Sequence, residues 1–138
     1  DFFRLVEKQA DVELDWLYEY WIESTKTIDY AIDTLYKIDK NETLLSLERI
    51  DLFPMPIEMN VETNDGQNIM YYIPLDLMRG SKKFVNQKVV QCKPWHWVKT
   101  NYSINLDIPF HKIKSITIDP TNQLADIDPT NNKLILKE

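Results

Sequence analysis

Apolar and polar positions recur with two different periods along this chain, and the change of period divides it. Residues 11–23, Asp-Val-Glu-Leu-Asp-Trp-Leu-Tyr-Glu-Tyr-Trp-Ile-Glu, follow a helical period. Leu14, Leu17, Tyr18, Trp21 and Ile22 share one face, Val12, Trp16 and Tyr20 share another, and only Asp15, Glu19 and Glu23 make a continuous polar stripe. A helix that is apolar on most of its circumference is expected to have protein on several sides. A single small β-domain covers one such face, not two, so the pattern predicts that the chain is part of something larger. Phe3 to Gln9 reads as the last turns of a preceding helix, and Asp11 is placed to cap the next one by accepting from its free backbone N–H groups.

After residues 24–27 the period drops from 3.6 to 2. Tyr30, Ile32, Thr34, Tyr36 and Ile38 then suit one buried face of a strand, with Asp29, Asp33 and Lys37 on the other. A turn over 39–42 leads into a strand over 43–52, and Pro54 and Pro56 interrupt pairing because neither has an N–H to donate. Ile57, Met59, Val61 and Thr63 alternate strictly with Glu58, Asn60 and Glu62. Asn64-Asp65-Gly66 supplies a hairpin turn, and residues 67–75 return with Ile69, Tyr71, Ile73 and Leu75 on one face. Residues 76–83 read as a polar exposed loop. Further strands are expected at 89–90, within 95–108, at 113–118 and at 133–137, with Tyr102, Ile104, Leu106 and Ile108 in register.

About eight short strands separated by turn signals predict a mainly β fold, a two-layer antiparallel β-sandwich of the immunoglobulin-like kind preceded by one or two helices. A closed β-barrel is the alternative. With only two glycines in the chain the sandwich is favoured, since small barrels use glycine or bulges at their corners.

Charge removes one class of partner. A net charge of -6 at 138 residues argues against a nucleic-acid-binding surface, which needs clustered Lys and Arg. No apolar run approaches the roughly 20 residues of a membrane-spanning helix. The start, Asp1-Phe2-Phe3-Arg4, lacks both an initiator Met and the form of a secretion signal, and is expected to be a truncation point.

Candidate chemistry is sparse. His96 and His111 are the only histidines and form no ligand-spaced pair, and Cys92 is the only cysteine, so the residues predict no zinc site of their own. A nucleophilic Cys92 would need His96 within hydrogen-bond reach, and Pro94 between them breaks the strand. Cys92 is expected to be a packed thiol. Asp119, Asp126 and Asp128, with Asn122, Asn131 and Asn132, have oxygens suited to calcium, but their spacing is not that of an EF-hand loop. The favoured expectation is turns, because Ile-Asp-Pro-Thr-Asn occurs at both 118–122 and 127–131. Trp95, Trp97 and Tyr102 define an aromatic β-face that is either core or a platform for sugar or protein, which keeps a stand-alone binding module as the alternative function.

One set of features, in order, resembles a known family. Leu14-Asp15-Trp16 and Trp21 lead to Pro54-Met55-Pro56-Ile57. Asp65-Gly66, Tyr71-Tyr72-Ile73-Pro74-Leu75 and Met78-Arg79-Gly80 follow, and Ile118-Asp119-Pro120, Ala125-Asp126-Ile127-Asp128 and Asn131-Asn132 close the series. Together they resemble the C-terminal region of bacterial zinc metallopeptidases of the aminopeptidase N family, the gluzincins. The resemblance implies that residues 1–25 are closing helices of a catalytic domain and 26–138 a C-terminal β-sandwich. It implies a non-catalytic accessory or scaffold role, with zinc, the His-Glu-x-x-His motif and the Gly-x-Met-Glu-Asn segment in a part of the protein absent here. No catalytic or metal-binding residue is carried over. The missing catalytic domain becomes the expected partner, contacted through Val12, Trp16, Tyr20 and Trp21, and the loop at Arg79 and Gly80 becomes a candidate wall of its cleft. A homodimer through the same exposed helix is the other expectation, and the family resemblance points to an exported or envelope-associated protein.

Overall fold

The computed structural model of the protein describes residues 8–9, 28–51, 53–76, 88–124, 126 and 128–136. The predicted contact residues Val12, Trp16, Tyr20 and Trp21, the predicted loop residues Arg79 and Gly80, and the proposed dimer helix lie outside the described residues.

Among the described residues, eight strands form two separate sheets. β1 (Tyr30–Lys37), β2 (Thr43–Arg49) and β6 (Asn101–Leu106) make a three-stranded sheet in the order β1-β2-β6. β3 (Ile57–Thr63), β4 (Asn68–Ile73), β5 (Val89–Gln91), β7 (Ile113–Ile118) and β8 (Lys133–Ile135) make a five-stranded one in the order β5-β4-β3-β7-β8. Their inner faces share one core: Leu45, Leu47 and Leu106 of the first sheet meet Ile57, Met59, Val61, Ile73, Ile116 and Ile118 of the second. This is a mainly β, two-layer sandwich and not the closed barrel, because each sheet keeps two edge strands. The expectation of a wholly antiparallel fold is corrected at one place, where β5 runs parallel to β4. A parallel neighbour needs a long crossover, and residues 74–88 separate the two strands.

Strict alternation holds where the sequence is clearest. In β2 and β3 every second residue is buried, Thr43, Leu45, Leu47 and Arg49 in one and Ile57, Met59, Val61 and Thr63 in the other. The turns between strands are local chemistry. Asp39 Oδ1 accepts from the backbone of Asn41 and Glu42 at 2.7 and 2.9 Å, which closes the β1–β2 hairpin. Gly66 alone takes a positive φ, 87°, in the β3–β4 turn, where its N–H donates to Thr63 O at 3.0 Å.

β1 departs from its expected pattern. Ile32 pairs with Leu47 and Thr34 with Ser46, so Asp33 is an extra residue and a bulge resets the register. The inward position moves from Ile32 to Leu35, which pairs with buried Leu45, and Tyr36 and Ile38 turn outward, 57% and 46% exposed. The predicted buried face of Tyr36 and Ile38 is therefore wrong, because one inserted residue sends every later side chain to the opposite face. Leu35→Ala is expected to cost roughly 2 kcal/mol and Tyr36→Ala under about 1 kcal/mol in urea unfolding. The reverse order would place the bulge elsewhere.

Candidate functional site

Where β6 and β5 form neighbouring edges of the two sheets, a groove of about 810 Å³ opens. Residues 101–105 of β6 line one side, Ile69, Tyr71 and Val90 the other, and residues 92–96 close one end. Trp95 is what makes that end solid. It is 2% exposed, stacks on Tyr102 with centroids 5.2 Å apart, and meets Tyr30 edge-on at 5.4 Å. Its Nε1–H donates to Lys99 O at 2.8 Å, so the one polar atom of the indole is satisfied as it is buried.

The loop that carries Trp95 is fastened from both sides. Trp95 N–H donates to Pro74 O at 2.8 Å, and Leu75 bridges to Trp95 in parallel. Asp76 holds the next two residues, accepting from Trp97 N–H at 3.0 Å and lying 2.8 Å from His96 Nδ1. A turn from His96 to Lys99 (N–H to O, 2.9 Å) follows, and β6 begins only at Asn101. The strand expected to start at 95 therefore does not include Trp95 or Trp97. Trp95 points into the core, while Trp97, 41% exposed, sits in the turn, so the aromatic β-face of Trp95, Trp97 and Tyr102 is not formed. The proline at 94 and the Asp76 clamp are the cause.

One thiol and two phenols along the groove are held neutral. Burial pushes the Cys92 thiol up to about 11, and burial together with a smaller effect of the Cys92 sulfur pushes the Tyr71 and Tyr102 phenols up to about 12. Burial likewise raises Tyr30 to about 12, against the lowering effects of its bond to Met55 and the nearby Arg49 charge. Cys92 Sγ faces Val90 O at 3.8 Å while His96 faces Asp76, so the two do not form a nucleophile and base. His111 lies in the 3-10 turn Phe110–Lys112, where its carbonyl accepts from Asn64 Nδ2 at 2.7 Å.

The acidic residues near the C-terminus act on backbone. Asp119, at φ 51°, accepts from Gln123 N–H and Leu124 N–H at 2.9 and 2.7 Å, and Asn122 N–H donates to Asp119 O. Asp126 accepts from Tyr30 N–H at 3.0 Å and Asp128 N–H at 2.8 Å, and Asp128 caps the 3-10 turn Pro129–Asn132. The repeated Ile-Asp-Pro-Thr-Asn thus builds two turns, as its composition predicts. Among the described residues no three His, Cys, Asp or Glu side chains converge to hold a metal ion.

Two contributors escaped the sequence: Asp76 and the Lys99 carbonyl. Each acts through a partner more than three residues away, and no spacing rule marks such a pair. No family model, no curated protein and no solved structure matches the chain.

The raised phenol and thiol values fix a pH dependence. Each group binds its proton more tightly folded than unfolded, so its contribution is complete below the ordinary thiol and phenol values of 9.0 and 10.0 and is lost as pH rises towards about 11 and 12. The urea midpoint is expected to fall between pH 9 and 12, and Tyr71→Phe with Tyr102→Phe to flatten that fall. A midpoint independent of pH in this window would contradict the burial of these groups.

Proposed function

We propose that the chain supplies a non-catalytic accessory domain to a protein resembling a zinc aminopeptidase, with the peptide-bond chemistry in another part of that protein. The observation that supports this best is the state of the reactive groups. The one thiol is pushed up to about 11, the groove phenols to about 12, and His96 faces a carboxylate that positions a loop. A nucleophile or general base needs a pKa near the working pH and a partner within reach. The thiol and the phenols are shifted far above neutral pH, and the imidazole that could serve Cys92 is turned to Asp76 instead.

The described residues do not fit a zinc site, since His96 and His111 sit on separate turns and no third donor joins either. In this proposal the metal and its activated water belong to the catalytic domain. On the same proposal, residues 26–138 form the C-terminal immunoglobulin-like sandwich of that protein. The sandwich serves as a rigid wall. Three features suit that role: a single core shared by both sheets, turns closed by carboxylates, and a crossover plugged by Trp95. The binding-module alternative built on Trp95 and Trp97 loses its support, because Trp95 is buried.

The chain by itself is expected to leave aminoacyl chromogenic substrates unhydrolysed, and the reading frame upstream to encode His-Glu-x-x-His with a downstream Glu. Hydrolysis by the chain, or an upstream frame without that motif, would overturn the proposal. Alkylation of Cys92 at pH 8 is expected to run at least roughly tenfold slower than that of a free thiol and to accelerate through pH 10. Rapid alkylation at neutral pH would mark an activated nucleophile instead.

A further inference from the structure

Among the described residues four strands have an open edge, and three of those edges are blunted. β5 and β8 are three residues long, and β1 carries the bulge that inserts Asp33. Short edges and bulges are the usual guards against pairing with another chain. β6 has neither. It runs six residues in unbroken register with β2, without proline, lysine or a register shift, and no other described strand pairs its far side.

The groove lies along that far side. Residues 101–105 all line it, although side chains of successive residues point to opposite faces of a strand. What consecutive residues have in common is the backbone edge, so the groove wall is a row of N–H and C=O groups. Facing it are the apolar side chains of Ile69, Tyr71 and Val90, while Tyr102 and Ile104 lean inward and Asn101, Ser103 and Asn105 outward. We infer that the open edge of β6 is a strand-addition site for an extended, antiparallel peptide of alternating apolar and polar residues with an acidic C-terminal end.

Charge at the two ends of the groove sets the direction. Lys99 precedes β6, and Lys93 is held beside it because its carbonyl accepts from the Tyr102 hydroxyl at 2.7 Å. Asp107 follows the strand at the other end. An antiparallel peptide places its C-terminal end at Lys93 and Lys99 and its N-terminal end at Asp107, which pairs opposite charges twice. A parallel peptide with the same ends would set carboxylate against Asp107. Every second side chain would enter between the sheets and the rest would meet solvent, the division that main-chain affinity with side-chain selection requires. The inference does not depend on the peptidase reading, since it concerns only the described edge and its flanking charges.

The test uses the 138-residue chain and the peptide Lys-Thr-Val-Ser-Ile-Asn-Glu in isothermal titration and hydrogen exchange. Saturable binding is expected, with alternate amides of residues 101–106 gaining about tenfold protection. The end-swapped peptide Glu-Thr-Val-Ser-Ile-Asn-Lys is expected to bind roughly tenfold more weakly, Lys99→Glu to remove that preference and Lys93→Glu with Lys99→Glu to reverse it. N-methylation of one alternate set of peptide amides should abolish binding and of the other set should leave it. Three results would each overturn the inference: no saturable binding, equal tolerance of both methylated peptides, or β6 amides already protected in a dimer of the free chain.

Discussion

Burial of the Trp95 indole between the sheets is the constraint on which the groove end of the sandwich depends. It is the largest side chain in the core, and its contacts reach both layers. Tyr30 and Tyr102 belong to the three-stranded sheet, whereas its backbone is bonded to Pro74 and bridged to Leu75, just beyond β4 of the five-stranded one. Aromatic pairs of this geometry contribute about 0.5–1.5 kcal/mol beyond the area they bury. Burial of the indole nitrogen without a partner would cost more than such a pair returns, and the Lys99 carbonyl removes that cost. The bond spans a turn over residues 96–99 that Lys99 N–H closes onto His96 O, and β6 begins just after it. One side chain thereby ties the end of β4 to the approach of β6 and closes the end of the groove.

Tyr30 extends the same linkage towards the proline segment. Its hydroxyl accepts from Met55 N–H at 2.7 Å, in the stretch where Pro54 and Pro56 leave few donors to hold the chain as it passes between sheets. Asp126 holds the other side of the residue by accepting from its backbone N–H. The core therefore carries a polar thread of hydroxyl, amide and carboxylate, each member with a partner. That arrangement makes the burial of the phenol tolerable, while burial itself keeps it neutral.

Five aspartates of the described residues organise backbone. Asp39, Asp76, Asp119, Asp126 and Asp128 each accept from one or more main-chain N–H groups. Such bonds close turns without calling on glycine, which explains how so many strands are connected in a chain with two. The acidic balance of the sequence is in part this work. It leaves Lys93 and Lys99 as a local cationic end to the groove within a chain whose net charge is -6.

The sequence by itself determined the strands and turns whose cause is local. Alternation in 57–63, the turn chemistry of Asn64-Asp65-Gly66 and the paired Ile-Asp-Pro-Thr-Asn segments each act within a few residues, and each is found where the pattern puts it. Tertiary structure decided what depends on a neighbour across the sheet. The Asp33 bulge turns Tyr36 and Ile38 outward, although their spacing alone places them with Tyr30, because pairing with β2 absorbs one residue. The parallel placement of β5 leaves no mark in three residues of sequence. Trp95 and Trp97 are two apart, the spacing of one strand face, yet Asp76, nineteen and twenty-one residues earlier, bends the segment and sends them to different surroundings. Period reports which side of a strand a residue takes only while the register is unbroken, and the register is set by partners that lie far along the chain.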